Sequence, residues 1–475
     1  MMKSDLYTGQ LKYKDKEFTF IFDGEELRLI ASELNESERR SLFPGYLGRG
    51  ISITGQTAKI EEGYLVGICN ETLQTIVFLT KKGMDIVYRN EVLVVPILAY
   101  IIQKYRRETV DRISFSNAEI NCIHPVSESF TVEYGPDIET YSRDGELKLI
   151  TKKFSETTTE KQEFLLEDRR VVVYFGVSRG VSHKVGESPL SIDSSLIFEF
   201  DPTNDFEFVL EIWRIAKSFL QFLCYRKDVH LPVGDIYSPY EEEKHEKFAT
   251  IYILGEDGAV DVDSLKRRRY IKQEYISGHE GEIFSDIINH KIYLRHLPDT
   301  YKVGHHIDAA RFVMITAAFE WEFRRNYPNG IERGEKTKQI EQEATQAIQK
   351  LIDNSTGKLK DKYKFLKKLI KSDSLQSEVE QMGKDYGDII NPFGEYLYEL
   401  NGQELSYSKM GLRLGNQRNH FAHGDIDEEF INESLIDVVF LETALYAMQL
   451  RCYDIEKIDV QKAIKDLFHY SIAIR

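Results

Sequence analysis

The feature that most constrains this chain is a change of hydrophobic period along its length. Through the first two hundred residues apolar side chains come in short or alternating runs closed by Gly, Asn, Asp or Pro. Phe18 to Phe22 ends at Asp23-Gly24, Gly63 to Cys69 and Thr75 to Leu79 flank Asn70-Glu71, and Arg170 to Val177 and Ser195 to Phe200 follow. Such runs predict short strands, and the whole predicts an antiparallel sandwich or barrel. Glu91 to Arg107 reads as a helix inserted among the strands, kinked or delayed by Pro96. Arg143 to Arg169, rich in Lys, Glu and Thr, reads as exposed hairpins or a loop.

The period then lengthens. Phe208, Ile212, Ile215, Phe219 and Leu223 recur at three- and four-residue steps, widened by Trp213, Ala216 and Leu220, which predicts a buried helix. A short strand is expected at Thr250 to Leu254, and from about Gly281 onward the chain reads as helical. One helix starts at an Asp308 N-cap and carries Phe312, Ile315, Phe319 and Phe323 on one face. A polar helix runs from Lys336 to about Asp353. The next has an apolar stripe, Leu359, Tyr363, Leu366 and Ile370, beside a lysine stripe, Lys360, Lys364, Lys367 and Lys371. The apolar stripe is expected to face a core and the lysines to face solvent or phosphate. Two last helices are expected, one from Ser406 to His423 with Gly424 as its stop, one beginning after Asp427. The core face of the second would be Ile431, Leu435, Val438, Leu441, Leu445 and Met448. The fold class is therefore α+β and multidomain. Residues 1–235 form a sandwich-like β domain with a helix or two, 236–280 a connector, and 281–475 an antiparallel helical bundle.

A chain of 475 residues with 42% hydrophobic and 29% charged side chains is long enough for two or three cores and too apolar for disorder. Its net charge of −16 argues against coating nucleic acid through a general positive field, so any RNA would meet a local basic site. Lys266-Arg267-Arg268-Arg269 is one such run, a solvated patch or a phosphate-contacting strip with Arg267 and Arg268 as candidates. The four cysteines, Cys69, Cys122, Cys224 and Cys452, are scattered and form no CxxC pair, which fits thiols in a reducing compartment. Cys122 and His124 lack a second ligand pair, and no metal or other cofactor is expected. His124 and His183 stand alone in the β-rich half, which carries no phosphate-binding loop, HExxH or nucleophile elbow. The first residues have no apolar signal region, and the run from Val92 to Ile102 is too short and too broken to span a membrane. A cytoplasmic location and no membrane partner are expected.

The chemistry-bearing segment is Leu414 to Gly424, LGNQRNHFAHG. It places a permanent cation, Arg418, an amide, Asn419, and two imidazoles, His420 and His423, at a helix end. RNA cleavage by its own 2′-OH needs a group that moves protons near neutral pH and a cation that balances the transition-state phosphate. Histidine suits the first role and the arginine fork the second. At about 100° per residue, Arg418 and His423 lie about 140° apart on a regular helix, so one copy does not put both on one face. Two copies across a twofold axis would form one shared cleft, and a homodimer is expected.

Arg418-Asn419-x-x-x-His423, followed by Gly424 and a long apolar helix, resembles the hallmark of the HEPN superfamily. With the upstream Asp308 to Arg325 helix, that likeness covers roughly Gly281 to Arg475. The β-rich half followed by such a bundle is similar to the ApeA-type HEPN proteins of bacterial anti-phage defence. The resemblance implies a metal-independent endoribonuclease that leaves 2′,3′-cyclic phosphate and 5′-OH ends. It also implies cellular RNA, with tRNA a candidate, as substrate, growth arrest of the infected cell as outcome, a phage-derived trigger, and a sensing or regulatory β-rich domain. His423 would be the general acid/base, Arg418 the phosphate holder, and Asn419 an orienting or RNA-contacting group. His420 would be a second proton carrier or a surface residue, and Glu320 a group that orients the arginine or an ordinary glutamate. The acidic residues Asp425, Asp427, Glu428 and Glu429 would cap the following helix, with phosphates approaching from the lysine face. Two other classes stay open: a non-catalytic HEPN scaffold that binds nucleotide, RNA or protein, and a β-domain binding protein whose helices only oligomerise.

Overall fold

Two tight hairpins without glycine anchor the strand registers. Lys14 and Asp15, and again Glu167 and Asp168, hold positive φ values of 48° and 58°, and 50° and 62°. Two consecutive left-handed residues make the turn whose twist matches that of the flanking strands. The first joins Tyr7–Tyr13 to Lys16–Phe22, pairing Tyr13 with Lys16; the second joins Gln162–Leu166 to Arg169–Val181. In this computed structural model the described residues are 6–31, 34–42, 46–48, 51–52, 58–89, 92–135, 147–186, 188–241, 244–370, 373–424 and 429–474.

Among them the chain divides into two compact units. One comprises residues 1–221, 228–265 and 272–288; the other comprises 222–227, 266–271 and 289–475.

The first unit is a large antiparallel β structure. Among the described residues fifteen strands join in one continuous hydrogen-bonded order, and two further strand pairs form ladders of their own. Register shifts between Ile97 and Ala99, Val110 and Arg112, Ile236 and Tyr237, and Pro239 and Glu241 interrupt its central ladders. Such bulges bend and twist a strand without breaking its hydrogen-bonded neighbours apart. The expected connector is central here: Val233–Glu241 lies between Val110–Phe115 and Lys244–Ile253. The helix expected over Glu91 to Arg107 is instead two strands, Val92–Val95 and Ile97–Gln103. The segment is dense in β-branched Val and Ile, which pack well on a pleated surface, and Pro96 falls between the strands. The Phe18, Phe20 and Phe22 side chains alternate inward and are fully buried, with Phe20 and Phe22 meeting Phe78 at ring separations of 5.2 and 5.3 Å. Within the Arg143 to Arg169 stretch, Leu147–Thr151 is an exposed strand paired with Phe130–Tyr134. The helix Glu280–Ile288, expected to open the bundle, belongs to this first unit. Its Phe284 stacks on Phe219 at 4.3 Å, and Phe219 sits on the buried helix Phe206–Cys224 anticipated from its periodicity.

The second unit is helical. Asp308 caps Ala309–Asn326 by accepting from the Arg311 N–H at 2.8 Å. Glu335–Asp353 and Gly357–Leu369 follow, then Leu375–Leu400, Tyr407–Ala422, Ser434–Arg451 and Lys457–Phe468. The helix Ser434–Arg451 is buried on nearly every side; Val438, Leu441, Leu445 and Met448 are inaccessible, as expected, but Leu435 is exposed. It starts later than Asp427 because Asn432, at φ 48°, breaks the helical path ahead of it. Leu375–Leu400 and Lys457–Phe468 are two helices beyond those expected. The former crosses Tyr407–Ala422 so closely that a Cβ on Gly411 would lie 2.6 Å from Gln376 Cα. Leu359 and Leu366, assigned above to a core face, are 55% and 45% exposed, and Phe365 is 59% exposed. Gly357–Leu369 packs on Glu335–Asp353, and that polar helix covers only part of its apolar stripe.

Candidate active site

The motif lies at the end of Tyr407–Ala422, held on its inner side by three ties. Arg413 makes a bidentate bond to the buried Asp437 carboxylate, 2.6 Å from Nε and 2.7 Å from Nη2, and Tyr398 donates to the same carboxylate. Leu414 and Phe421 are buried. The fully buried Gln417 accepts from the Ile431 N–H at 2.6 Å and the Ser434 hydroxyl at 3.1 Å, so it anchors the chain entering the next helix. One residue on, Arg418 emerges half-buried, while Asn419 and His423 are exposed. The helix stays regular to its last residue: the His423 N–H reaches the Asn419 carbonyl at 3.0 Å, and His423 is in the right-handed region. Gly424, at φ 101°, then leaves the helical path, a conformation that side chains disfavour.

Arg418 donates from Nη1 to Glu320 Oε1 at 2.7 Å, which brings together the helices Tyr407–Ala422 and Ala309–Asn326. Arg324, one turn beyond Glu320, approaches its other oxygen at 3.8 Å and is largely exposed. One carboxylate thus faces two guanidinium groups. A second carboxyl group, Glu378 in the first turn of Leu375–Leu400, is buried, and its Oε2 has no hydrogen-bond partner among the described residues. Burial, reinforced by the Glu320 and Asp373 carboxylates and opposed by Arg324 and Arg418, pushes it up to about 7. A group at that value holds or releases a proton near neutrality.

The structure brings Arg418 and Glu320 together but leaves the histidine apart. Because the helix does not unwind before His423, the 140° offset between Arg418 and His423 persists in one copy. His420 is half-buried on the same helix, and Asn419 contributes its carbonyl to the His423 N–H. The basic candidates sit on other elements. Lys360 is half-buried, Lys364 lies 3.5 Å from Asp361, and Lys367 donates to Gln349 Oε1 at 2.6 Å. Arg267 and Arg268 are exposed in the segment 266–271. Lys371, Asp425, Asp427 and Glu428 lie outside the described residues, and Glu429 belongs to no helix. Sequence reasoning missed Glu378, Arg413 and Asp437. Only the five-residue step from Arg413 to Arg418 marks a second arginine on this helix, and nothing local marks either acid.

Among the described residues no three His, Cys, Asp or Glu side chains gather as a metal site, the four cysteines form no disulfide, and no helix is long and apolar enough to cross a membrane. Compared with family models, curated proteins and solved structures, the chain matches none.

Proposed function

We propose that the end of the helix Tyr407–Ala422 is the catalytic element of a metal-independent, HEPN-type endoribonuclease that acts on cellular RNA, with tRNA a candidate, in anti-phage defence. The observation that carries this reading is the half-buried Arg418 guanidinium, fixed by Glu320 at 2.7 Å at the surface end of a helix that also presents His423. In the proposed reaction the 2′-hydroxyl loses its proton to an imidazole and O2′ forms a bond to phosphorus. The bond from phosphorus to O5′ breaks, and a proton is delivered to O5′. The products are a 2′,3′-cyclic phosphate and a 5′-hydroxyl. The nucleophile comes from the substrate, so Arg418 has to stabilise charge and histidine has to carry protons. Acid and base roles need two proton carriers. His423 and His420 of one copy, or the His423 residues of two copies across a twofold axis, can supply them, and the 140° offset favours the dimer.

RNA ends mapped after induction in phage-infected cells test the proposal. The wild-type chain should generate new 5′-hydroxyl and cyclic phosphate ends; Arg418→Ala and His423→Ala should each lose them by about a hundredfold or more. Identical end profiles for all three proteins would overturn it. One observation favours a second reading, a non-catalytic scaffold: Arg418 already has a carboxylate partner, and an arginine can serve only to join two helices. Under that reading the Arg418→Ala protein is less stable and no cleavage is seen from any form.

A further inference from the structure

The helical unit contains a cavity of about 370 Å³ that the motif helix does not line. Its walls come from residues 224–226, Arg269, the loop 298–307, the helices Leu375–Leu400 and Ser434–Arg451, and residues 467–470. The volume is at the lower end of the range of about 300–1,000 Å³ in which proteins hold small ligands, so it fits a small molecule and not a polymer.

Its polar groups divide into satisfied and unsatisfied ones. Glu442, the acid on the wall, is taken up: Arg311 Nη2 donates to it at 2.8 Å and the Tyr225 hydroxyl donates as well. Tyr470 is also engaged, its hydroxyl 2.8 Å from the Thr443 hydroxyl and its ring 5.0 Å from that of Phe393. Arg269 is different. Its interactions are with the Tyr301 side chain and, from Nη1, with the Leu467 carbonyl at 3.1 Å, and its Nε is buried without a hydrogen-bond partner among the described residues. Its guanidinium lies over the Tyr301 ring, 5.4 Å from the centroid. The His305 ring meets Tyr301 edge-on at 4.7 Å, and burial together with Arg269, Arg267 and Arg311 holds its pKa below the usual imidazole range. An imidazole is then a neutral donor or acceptor at pH 7, and the surroundings that keep it so favour an anion. Tyr301, Tyr396, Phe468 and Tyr470 give the cavity aromatic walls.

A half-buried cation with no carboxylate partner among the described residues and a buried, unpartnered Nε is incompletely compensated, and an anion arriving from solution can compensate it through charge-assisted hydrogen bonds. Aromatic walls recognise a flat ring by stacking and edge contacts. We propose that this cavity binds a small molecule that joins one flat ring system to one anionic group, with Arg269 holding the anion and Tyr301 and its neighbours holding the ring. A mononucleotide and an aromatic carboxylate both have this chemistry. The proposal is independent of the reaction assigned to Arg418.

The test is titration calorimetry on the full chain with three kinds of probe. The first is the set of four ribonucleoside 5′-monophosphates, the second benzoate and indole-3-acetate, and the third the neutral nucleosides and inorganic phosphate taken separately. Saturable binding by at least one ring-bearing anion, with the ring alone and the anion alone at least about tenfold weaker, is expected. Binding by the nucleotides only identifies a phosphate ligand, and binding by the carboxylates only identifies a carboxylate; both support the proposal. Arg269→Gln, which keeps a donor for the Leu467 carbonyl, should weaken the bound probe at least about tenfold, and the exposed Lys338→Gln, on a helix that does not line the cavity, should leave it unchanged. If Arg269→Gln fails to fold, Tyr396→Leu serves, with a similar loss expected. No saturable binding of any ring-bearing anion at millimolar concentration, neutral nucleosides binding as well as their monophosphates, or unchanged binding in the folded variant would overturn it.

Discussion

Arg418 and Glu320, 98 positions apart in the chain, meet through a 2.7 Å hydrogen bond that joins the motif helix to Ala309–Asn326. Glu320 is mostly buried and Arg418 about one-third exposed, so the guanidinium is positioned from one side and open from the other. A surface ion pair contributes little, but a part-buried, hydrogen-bonded one contributes more. A double-mutant cycle of Arg418→Ala and Glu320→Gln is expected to give a coupling of about 1 kcal/mol in urea denaturation. Additive effects would mean that Glu320 does not position the arginine.

Glu378 makes a pH prediction whose sign is fixed. Its folded-state pKa is raised from the usual carboxyl value to about 7, so ionisation is opposed in the native state. Its contribution to stability is fully present below its unfolded value and is lost as pH rises through about 7. Glu378→Gln should therefore gain on the wild-type chain between pH 5 and pH 8, by at most about 3 kcal/mol. Urea midpoints at the two pH values decide the matter, and parallel behaviour of both proteins would contradict the expectation.

The Arg413–Asp437 pair should separate folding from chemistry. Asp437 is fully buried, and removing either partner leaves an uncompensated charge. Arg413→Ala is expected to lose about 3–5 kcal/mol, whereas His423→Ala, at an exposed helix end, should stay within about 0.5 kcal/mol of the wild-type chain. A large thermal shift in His423→Ala would show a structural role for that histidine instead.

The exposed stripe on Gly357–Leu369 predicts indifference. Leu359→Ser and Leu366→Ser remove side chains about half exposed to water. Each should change stability by no more than about 0.5 kcal/mol, against about 2–5 kcal/mol for a buried leucine. Losses of the larger size, measured by thermal denaturation, would place these residues in a core after all.

What could be read from the sequence was local. The Asp308 cap, the helix from Phe206, the strands around Phe20 and Val173, and the motif helix with its Gly424 stop all follow from adjacent residues. What could not be read depended on tertiary neighbours. Val92–Val95 and Ile97–Gln103 are strands because they have strand partners, Leu27–Ala31 for the first and Thr75–Thr80 and Lys244–Ile253 for the second. In isolation the same apolar run admits either period. Leu359 and Leu366 show the reverse error, a periodic stripe whose partner surface does not cover it. At the site, the residue types of Arg418 and His423 were legible, but the position of Glu320 against Arg418 depends on two helices separated by most of the bundle. Glu378 was invisible because the helix that carries it was.

The division of the chain has a consequence for dissecting the protein. Residues 222–227 and 266–271 count with the helices, while 228–265 and 272–288 count with the strands. The Tyr225 hydroxyl and the Arg269 guanidinium therefore reach the helical half from segments that precede it in the chain. No single proteolytic cut and no simple truncation releases the helical unit whole. A fragment beginning at residue 289 would retain Arg418 and His423 but lack both segments, so failure of the proposed cleavage in it would report missing scaffolding, not a missing regulator.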